Sequence, residues 1–94
     1  SNPVNKQICA TLSNPEAQRQ FAILNNGIIE VIPAQNFVIV KCYAGMAGAV
    51  CATIDGMHLQ GVAGSIAGDD TIFICTLNNE FAENIKKVLT SIKG

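Results

Sequence analysis

Two adjacent carboxylates, Asp69 and Asp70, are the residues of this 94-residue chain whose types and spacing could do chemistry. They lie in residues 61–73, GVAGSIAGDDTIF, at a predicted turn between two apolar strands. Aspartate is favoured in turns, so a purely structural role is one interpretation. Two like charges this close repel each other, however, unless a cation lies nearby. That cation could be a metal ion, a Lys or Arg of a partner, or a cationic ligand. A metal is disfavoured, because the neighbouring sequence supplies few further oxygen ligands.

The other reactive residue types form no catalytic pattern. The four cysteines include no CxxC pair, and three of them lie in apolar runs, where a free cysteine packs as a small core residue. His58 is the only histidine and lies between a predicted helix and a predicted strand, where we expect it to face solvent. Ser65 is not part of a G-x-S-x-G motif. We therefore predict no catalytic residue, no metal site and no cofactor.

Hydrophobic periodicity predicts a short leading helix followed by the order β-β-α-β-β-α. The leading helix begins at Asn14-Pro15-Glu16, an N-cap, a first-turn proline and a first-turn acid, and ends at residues 25–27. The predicted strands are 28–32, 37–42, 59–66 and 71–76, and the other helices span 45–55 and the residues after 78–79. Two hairpins can share one four-stranded, mainly antiparallel sheet with the helices on one face. This arrangement is a two-layer α/β (α+β) sandwich. Residues 1–13 show no periodicity and read as a tail or linker, so that 14–94 form one domain.

The charge content limits the partners of the chain. Only 14% of the residues are charged, which is low for a small domain and favours a surface partly covered by other copies of the chain. Six Lys and Arg are scattered against seven acids, giving a net charge of −1, so we expect no binding of DNA by these residues alone. The sequence has neither a signal peptide nor an apolar run long enough to cross a membrane, and we expect a cytoplasmic location.

The acidic segment also resembles a known family. The run GSIAGDDTI is similar to the G-x-x-G-[TS]-I-A-G-D-D-T-I signature of the C-terminal domains of bacterial arginine repressors. Residues 45–55, GMAGAVCATID, resemble the P-G-x-A-x-x-[IV]-x-x-x-[IL]-D helix of the same family. The spacing between the two segments fits to within a residue, and the resemblance covers roughly residues 21–94.

The resemblance implies an effector-binding and oligomerisation domain. In that family the domain forms trimers, two trimers pair into a hexamer, and L-arginine binds between the trimers as co-repressor. Carried over, Asp69 and Asp70 bind the guanidinium group, which pairs bidentately with carboxylates. Asp55 lies at a further ligand-contacting position, and Ser65 and Ala67 match positions that face the amino-acid end of the ligand.

Two glycines are further candidate ligand positions, Gly48 and Gly68. Family members often carry Gln or His where this chain has Gly48, and that side chain helps to hold the ligand. Its absence leaves open a second interpretation, a structural oligomerisation domain with a decayed or altered effector site. A third is a small enzyme or metal protein that uses the aspartate pair.

The resemblance also implies a function for a longer protein. We expect an N-terminal winged helix-turn-helix domain to precede Ser1, so that this chain is an excised domain. Operator DNA would be bound only through that missing domain. The intact protein is then expected to be a transcriptional repressor of arginine biosynthesis.

Overall fold

The structure, a computed structural model, describes residues 14–93 and has three helices and a four-stranded sheet. The predicted tail at residues 1–13 lies outside the described residues. In chain order the elements are α1 (Pro15–Gly27), β1 (Ile28–Ala34), β2 (Phe37–Cys42), α2 (Ala47–Gly56), β3 (Val62–Ala67), β4 (Thr71–Thr76) and α3 (Asn79–Lys93). The predicted α+β class and element order are thereby confirmed.

The sheet has the strand order β1-β2-β4-β3, and every neighbouring pair is antiparallel. The two hairpins therefore meet at β2 and β4, whose pairing sets Val38 opposite Ile74 and Lys41 opposite Thr71. β3 and β1 are the two edges. This order places the turn between β3 and β4 beside the end of β2.

Both outer helices begin with an asparagine cap. The Asn14 side chain accepts a hydrogen bond from the Ala17 N–H at 2.8 Å, with Pro15 in the first turn. The Asn78 side chain accepts one from the Phe81 N–H at 2.9 Å. These bonds satisfy N–H groups that have no partner inside the helix. The sequence prediction of both helix starts is confirmed.

The three helices cover one face of the sheet. α2 packs on β2, β3 and β4, α3 packs on β1, β2 and β4, and α1 contacts both other helices. Alternate residues of the two central strands point into this layer and are buried: Val38, Val40, Cys42, Ile72, Ile74 and Thr76. Leu24, Val50, Ile54, Ile85 and Leu89 complete the core from the helix side.

The other face of the sheet has no covering layer in the part of the chain that the structure describes. Its side chains come from the alternate positions of all four strands, and many are large and apolar: Ile32, Phe37, Ile39, Ile66 and Phe73. Ile66 is 72% exposed and Phe73 50% exposed. We call this surface the open face.

Several element boundaries differ from the prediction by one to three residues, and those of β1 and β3 have a local reason. β1 continues through Pro33 to Ala34, because an edge strand tolerates a residue without an N–H, and the hairpin turn shrinks to Gln35 and Asn36. β3 begins at Val62 rather than at residue 59, because Gly61 has a φ of +87° that a strand cannot continue.

Two glycines allow close packing that a side chain would prevent. A Cβ at Gly27 would lie 2.6 Å from the Cγ2 atom of Val50, so the end of α1 touches α2 closely. A Cβ at Gly61 would overlap the ring of Phe81, and the positive φ is itself unfavourable for other residues.

We predict that Gly61→Ala destabilises the domain by about 2–4 kcal/mol, because backbone strain and overlap with Phe81 add. Gly48→Ala is the matched control, since a Cβ there meets no atom within 4 Å. Its free energy of unfolding should change by no more than about 1 kcal/mol. Urea unfolding followed by circular dichroism measures both, and equal stabilities of the two variants would contradict the prediction.

Candidate functional site

Main-chain hydrogen bonds fix the acidic turn, residues 68–70, to the neighbouring elements. The Cys42 N–H, at the end of β2, donates to the carbonyl oxygen of Asp70 at 2.7 Å. The Ala47 N–H, at the start of α2, donates to the carbonyl oxygen of Asp69 at 3.1 Å. The turn therefore lies against the N-terminal end of α2, where the helix dipole favours negative charge.

Each of the two carboxylates is held through one oxygen. Oδ2 of Asp69 accepts a hydrogen bond from the Gly45 N–H at 3.2 Å, and Oδ1 of Asp70 accepts one from the Thr71 hydroxyl at 3.0 Å. Within residues 14–93 nothing donates to the second oxygen of either group, and both residues are exposed. Each carboxylate thus keeps one oxygen available to a cation or a hydrogen-bond donor.

A second polar group lies between α2 and β3. The Ser65 hydroxyl donates to Oδ1 of Asp55 at 2.6 Å, and the sulfur of Cys51 lies 3.4 Å from the same hydroxyl oxygen. Ser65 faces the helix side of β3, and Ala67, two residues further, faces the same side. Cys51 follows Ala47 by four residues and Asp55 by eight, so this group extends from about 6 Å to about 12 Å along the α2 axis from the acidic turn.

The three aspartates carry uncompensated charge. The one ion pair among the described residues joins Arg19 to Glu16 on α1, at 2.8 Å. No Lys or Arg within residues 14–93 lies within 4.0 Å of a carboxylate oxygen of Asp55, Asp69 or Asp70. No three His, Cys, Asp or Glu side chains of this part of the chain are grouped so as to hold a metal ion.

The structure brings together some of the residues that the sequence singled out. Asp69 and Asp70 share one turn with Gly68, while Asp55 and Ser65 are hydrogen-bonded to each other. Gly48, in the first turn of α2, is exposed and has open space around its Cα. It therefore offers no side chain to either group.

Sequence reasoning missed several contributors. The main-chain donors Gly45 and Ala47 could not be recognised, because any residue type supplies an N–H and only the loop path brings these two to Asp69. Lys41 was also missed. Its Nζ donates to the Thr71 hydroxyl at 2.8 Å, and only the register of β2 against β4 places the two side by side. The alternation of FVIVKC does put Lys41 on the face opposite the core.

The pKa of the Cys42 thiol is raised by its surroundings, which include the acidic turn. Burial raises the pKa of this thiol above its ordinary value of 9.0, and the negative charges of Asp70 and Cys51 raise it further. The ammonium group of Lys41 acts in the opposite direction and is the weakest of these influences. The thiol therefore stays protonated in the folded domain at a pH where an exposed thiol ionises.

Comparison with known proteins identifies the family of this domain. The family profile described as "Arginine repressor, C-terminal domain" matches residues 24–91. The chain belongs to the arginine repressor family, whose members are named for repression and not for an enzymatic activity.

Relatives of this chain include complete arginine repressors of several bacteria. The chain is 45% identical to the arginine repressor of Clostridium novyi over 73 residues. This aligned segment covers 78% of this chain and 48% of that protein. It is 41% identical over 86 residues to that of Caldicellulosiruptor saccharolyticus, covering 88% and 57%. The chain thus spans about half the length of the curated relatives it matches. No helix of the described residues is long and apolar enough to cross a membrane.

The raised pKa of Cys42 predicts a loss of stability at alkaline pH. Between pH 9.0 and the folded-state pKa the folded domain holds a proton that the unfolded chain has lost. The stabilisation is therefore complete below pH 9.0 and disappears as the pH rises through the folded-state value. The free energy of unfolding of the wild type should fall more steeply above pH 9 than that of Cys42→Ala. Parallel curves from urea titrations at pH 8–11 would contradict this assignment.

Proposed function

We propose that this chain is the effector-binding and oligomerisation domain of an arginine-responsive transcriptional regulator. L-arginine acts as co-repressor: it binds between two trimers of the domain and stabilises the hexamer. The observation that carries the proposal is the pair of exposed carboxylates in the turn, each with one oxygen that accepts no bond from residues 14–93.

The chemistry of the turn suits a guanidinium ion. Asp69 and Asp70 present two negative charges without a lysine or arginine partner within 4.0 Å in the described chain. A guanidinium has donors on a planar fork, and it remains charged at every relevant pH. A bound arginine would therefore relieve the repulsion between the two carboxylates.

The second polar group suits the other end of the same ligand. The near end of this group, where Ser65 contacts Cys51, lies about 6 Å along the α2 axis from the acidic turn, and Asp55 lies about 12 Å from it. A carboxylate can accept from the α-amino group of an amino acid, and the serine hydroxyl oxygen, whose one proton is donated to Asp55, can accept from the same group. With Ala67 at the end of β3 and Gly68 at the start of the turn, the ligand would lie extended along α2 and β3.

The open face supports assembly. A monomer of 94 residues rarely exposes Ile32, Phe37, Ile66 and Phe73 on one continuous surface. Covering this face with other copies of the chain removes the apolar area from water, at about 25 cal/mol per Å². We assign this face to the contacts within a trimer, and the turn to the contacts between trimers.

Regulation of DNA binding would need a segment that this chain does not contain. The matched part of the chain covers only 48% and 57% of the two relatives, and the described surface has no basic stripe suited to a phosphate backbone. We propose that operator DNA is bound by a winged helix-turn-helix domain in the intact regulator, which acts on arginine biosynthesis in the cytoplasm. The domain itself performs no catalytic step.

One feature favours an alternative. Gly48 is exposed, has open space around it and supplies no side chain beside the ligand position. A purely structural oligomerisation domain with a decayed or altered effector site would have the same open face and the same fold. Ligand titration separates the two functions.

We predict that L-arginine binds the wild type and that citrulline, which has nearly the same shape without the charge, binds far more weakly. Asp69→Asn keeps an oxygen for the Gly45 N–H but removes one negative charge. It should cost about 1.5–3 kcal/mol of arginine affinity, as for a hydrogen bond to a charged group. Isothermal titration calorimetry measures the affinity of the wild type for both ligands and that of Asp69→Asn for L-arginine.

The matched control for this titration is Glu83→Gln, which removes the charge of an exposed acid on α3. It should leave the arginine affinity unchanged. If the wild type binds neither ligand, the effector function is wrong and the structural alternative stands. If both variants weaken binding equally, the effect is one of net charge and the turn is not the site.

We also predict that the wild type contains three or six chains at micromolar concentration, and that Ile66→Glu reduces it to one. A carboxylate on the open face cannot be buried without a partner. Leu77→Glu is the matched control, because Leu77 is 70% exposed but lies outside the strands. Multi-angle light scattering measures all three proteins, and a monomeric wild type would contradict the proposed assembly.

A further inference from the structure

A chain of two hydrogen bonds connects the open face with the acidic turn. The Lys41 ammonium nitrogen lies 2.8 Å from the Thr71 hydroxyl oxygen, and that oxygen lies 3.0 Å from Oδ1 of Asp70. Lys41 and Thr71 are register partners on β2 and β4, and their side chains share the open face. Asp70 directly precedes Thr71, so the chain ends on the carboxylate.

The direction of both bonds follows from the chemistry of the three groups. An ammonium group can only donate and an ionised carboxylate can only accept. The hydroxyl has a single proton, so it accepts from Lys41 and donates to Asp70. Each bond involves a charged partner and polarises the other, which strengthens both.

Lys41 also has an acidic neighbour, Glu30, with which it forms no ion pair in the described chain. Glu30 on β1 is its register partner on the other side, also on the open face, yet Lys41 forms no ion pair within 4.0 Å in the described chain. Its Nζ turns instead toward Thr71. The half-buried lysine therefore contacts β4, the strand that directly follows the acidic turn.

We infer that Lys41 and Thr71 are positioning residues of the proposed arginine site, which hold the Asp70 carboxylate so that its second oxygen faces the guanidinium. The inference rests on the proposed function of Asp70. It assigns to Lys41 a favourable effect on the binding of a cation. Coulomb repulsion alone would give Lys41 the opposite effect, so the sign of its contribution tests the assignment.

We call the hydrogen-bonded residues Lys41, Thr71 and Asp70 the relay. The relay would also link assembly with ligand binding. Lys41, Thr71 and Phe73 line an open cleft of about 620 Å³ on the open face. A second copy that covers this cleft removes water from the lysine and the threonine. The two hydrogen bonds then operate in a lower dielectric and hold Asp70 more firmly. Formation of the trimer would in this way prepare the turn for arginine.

A double-mutant cycle read by calorimetry with L-arginine tests the relay. Thr71→Val keeps the size and the strand preference but cannot donate to Asp70, and it should weaken arginine binding about tenfold. Lys41→Met should weaken binding several-fold in the wild-type background. In the Thr71→Val background Lys41→Met should cause no loss and a small gain, because only the repulsion of the guanidinium remains to be removed.

Thr71→Ser is the matched control, since it retains the hydroxyl and should bind arginine within about twofold of the wild type. Sedimentation at saturating arginine and thermal unfolding establish that the variants fold and assemble. An equal effect of Lys41→Met in both backgrounds, or a loss in Thr71→Ser as large as that in Thr71→Val, would overturn the relay and leave the proposed function intact. Failure of the wild type to bind arginine would overturn both.

Discussion

The carbonyl oxygens of Asp69 and Asp70 each accept a hydrogen bond from a main-chain N–H outside their own hairpin. These two bonds, from Ala47 and Cys42, join the turn between β3 and β4 to the start of α2 and the end of β2. The position of the two carboxylates is therefore set by three elements at once. A change in the packing of any of them moves the charged groups.

In this arrangement the main chain fixes the position of the turn, and the side chains supply its negative charge. Main-chain bonds hold the turn in place, so one oxygen of each aspartate remains available on an exposed surface. A site built in this way does not need a deep pocket in the single chain. In the function that we propose, a ligand bound between two copies of the chain supplies the opposing charge.

The two faces of the sheet differ in burial. The helix side carries the buried residues and supplies the stability of the fold, while the open face leaves large apolar residues exposed, which the proposed assembly would cover. Lys41 lies on the open face at the strand end beside the acidic turn. In the inference that we draw, it is the polar side chain through which coverage of that face would act on the turn.

The sequence predicted the element order well, because hydrophobic alternation and the asparagine caps report directly on local structure. Residue type and family resemblance singled out Asp69, Asp70, Asp55 and Ser65 as candidate site residues, and in the structure Ser65 is hydrogen-bonded to Asp55. The sequence could not give the contacts of Gly45, Ala47 and Lys41. These depend on strand register and on the path of one loop, which no local pattern encodes.

The absence of a side chain at Gly27 has a consequence beyond packing. The carbonyl oxygen of Gly27 accepts the Tyr43 N–H at 3.0 Å, in the loop that also presents Gly45 to Asp69. A larger residue at position 27 would push against Val50 and carry this loop with it. Under the proposed function, a genetic screen would detect such a substitution as a defect in effector response. The altered residue would nevertheless lie on a helix that contributes no side chain to the site.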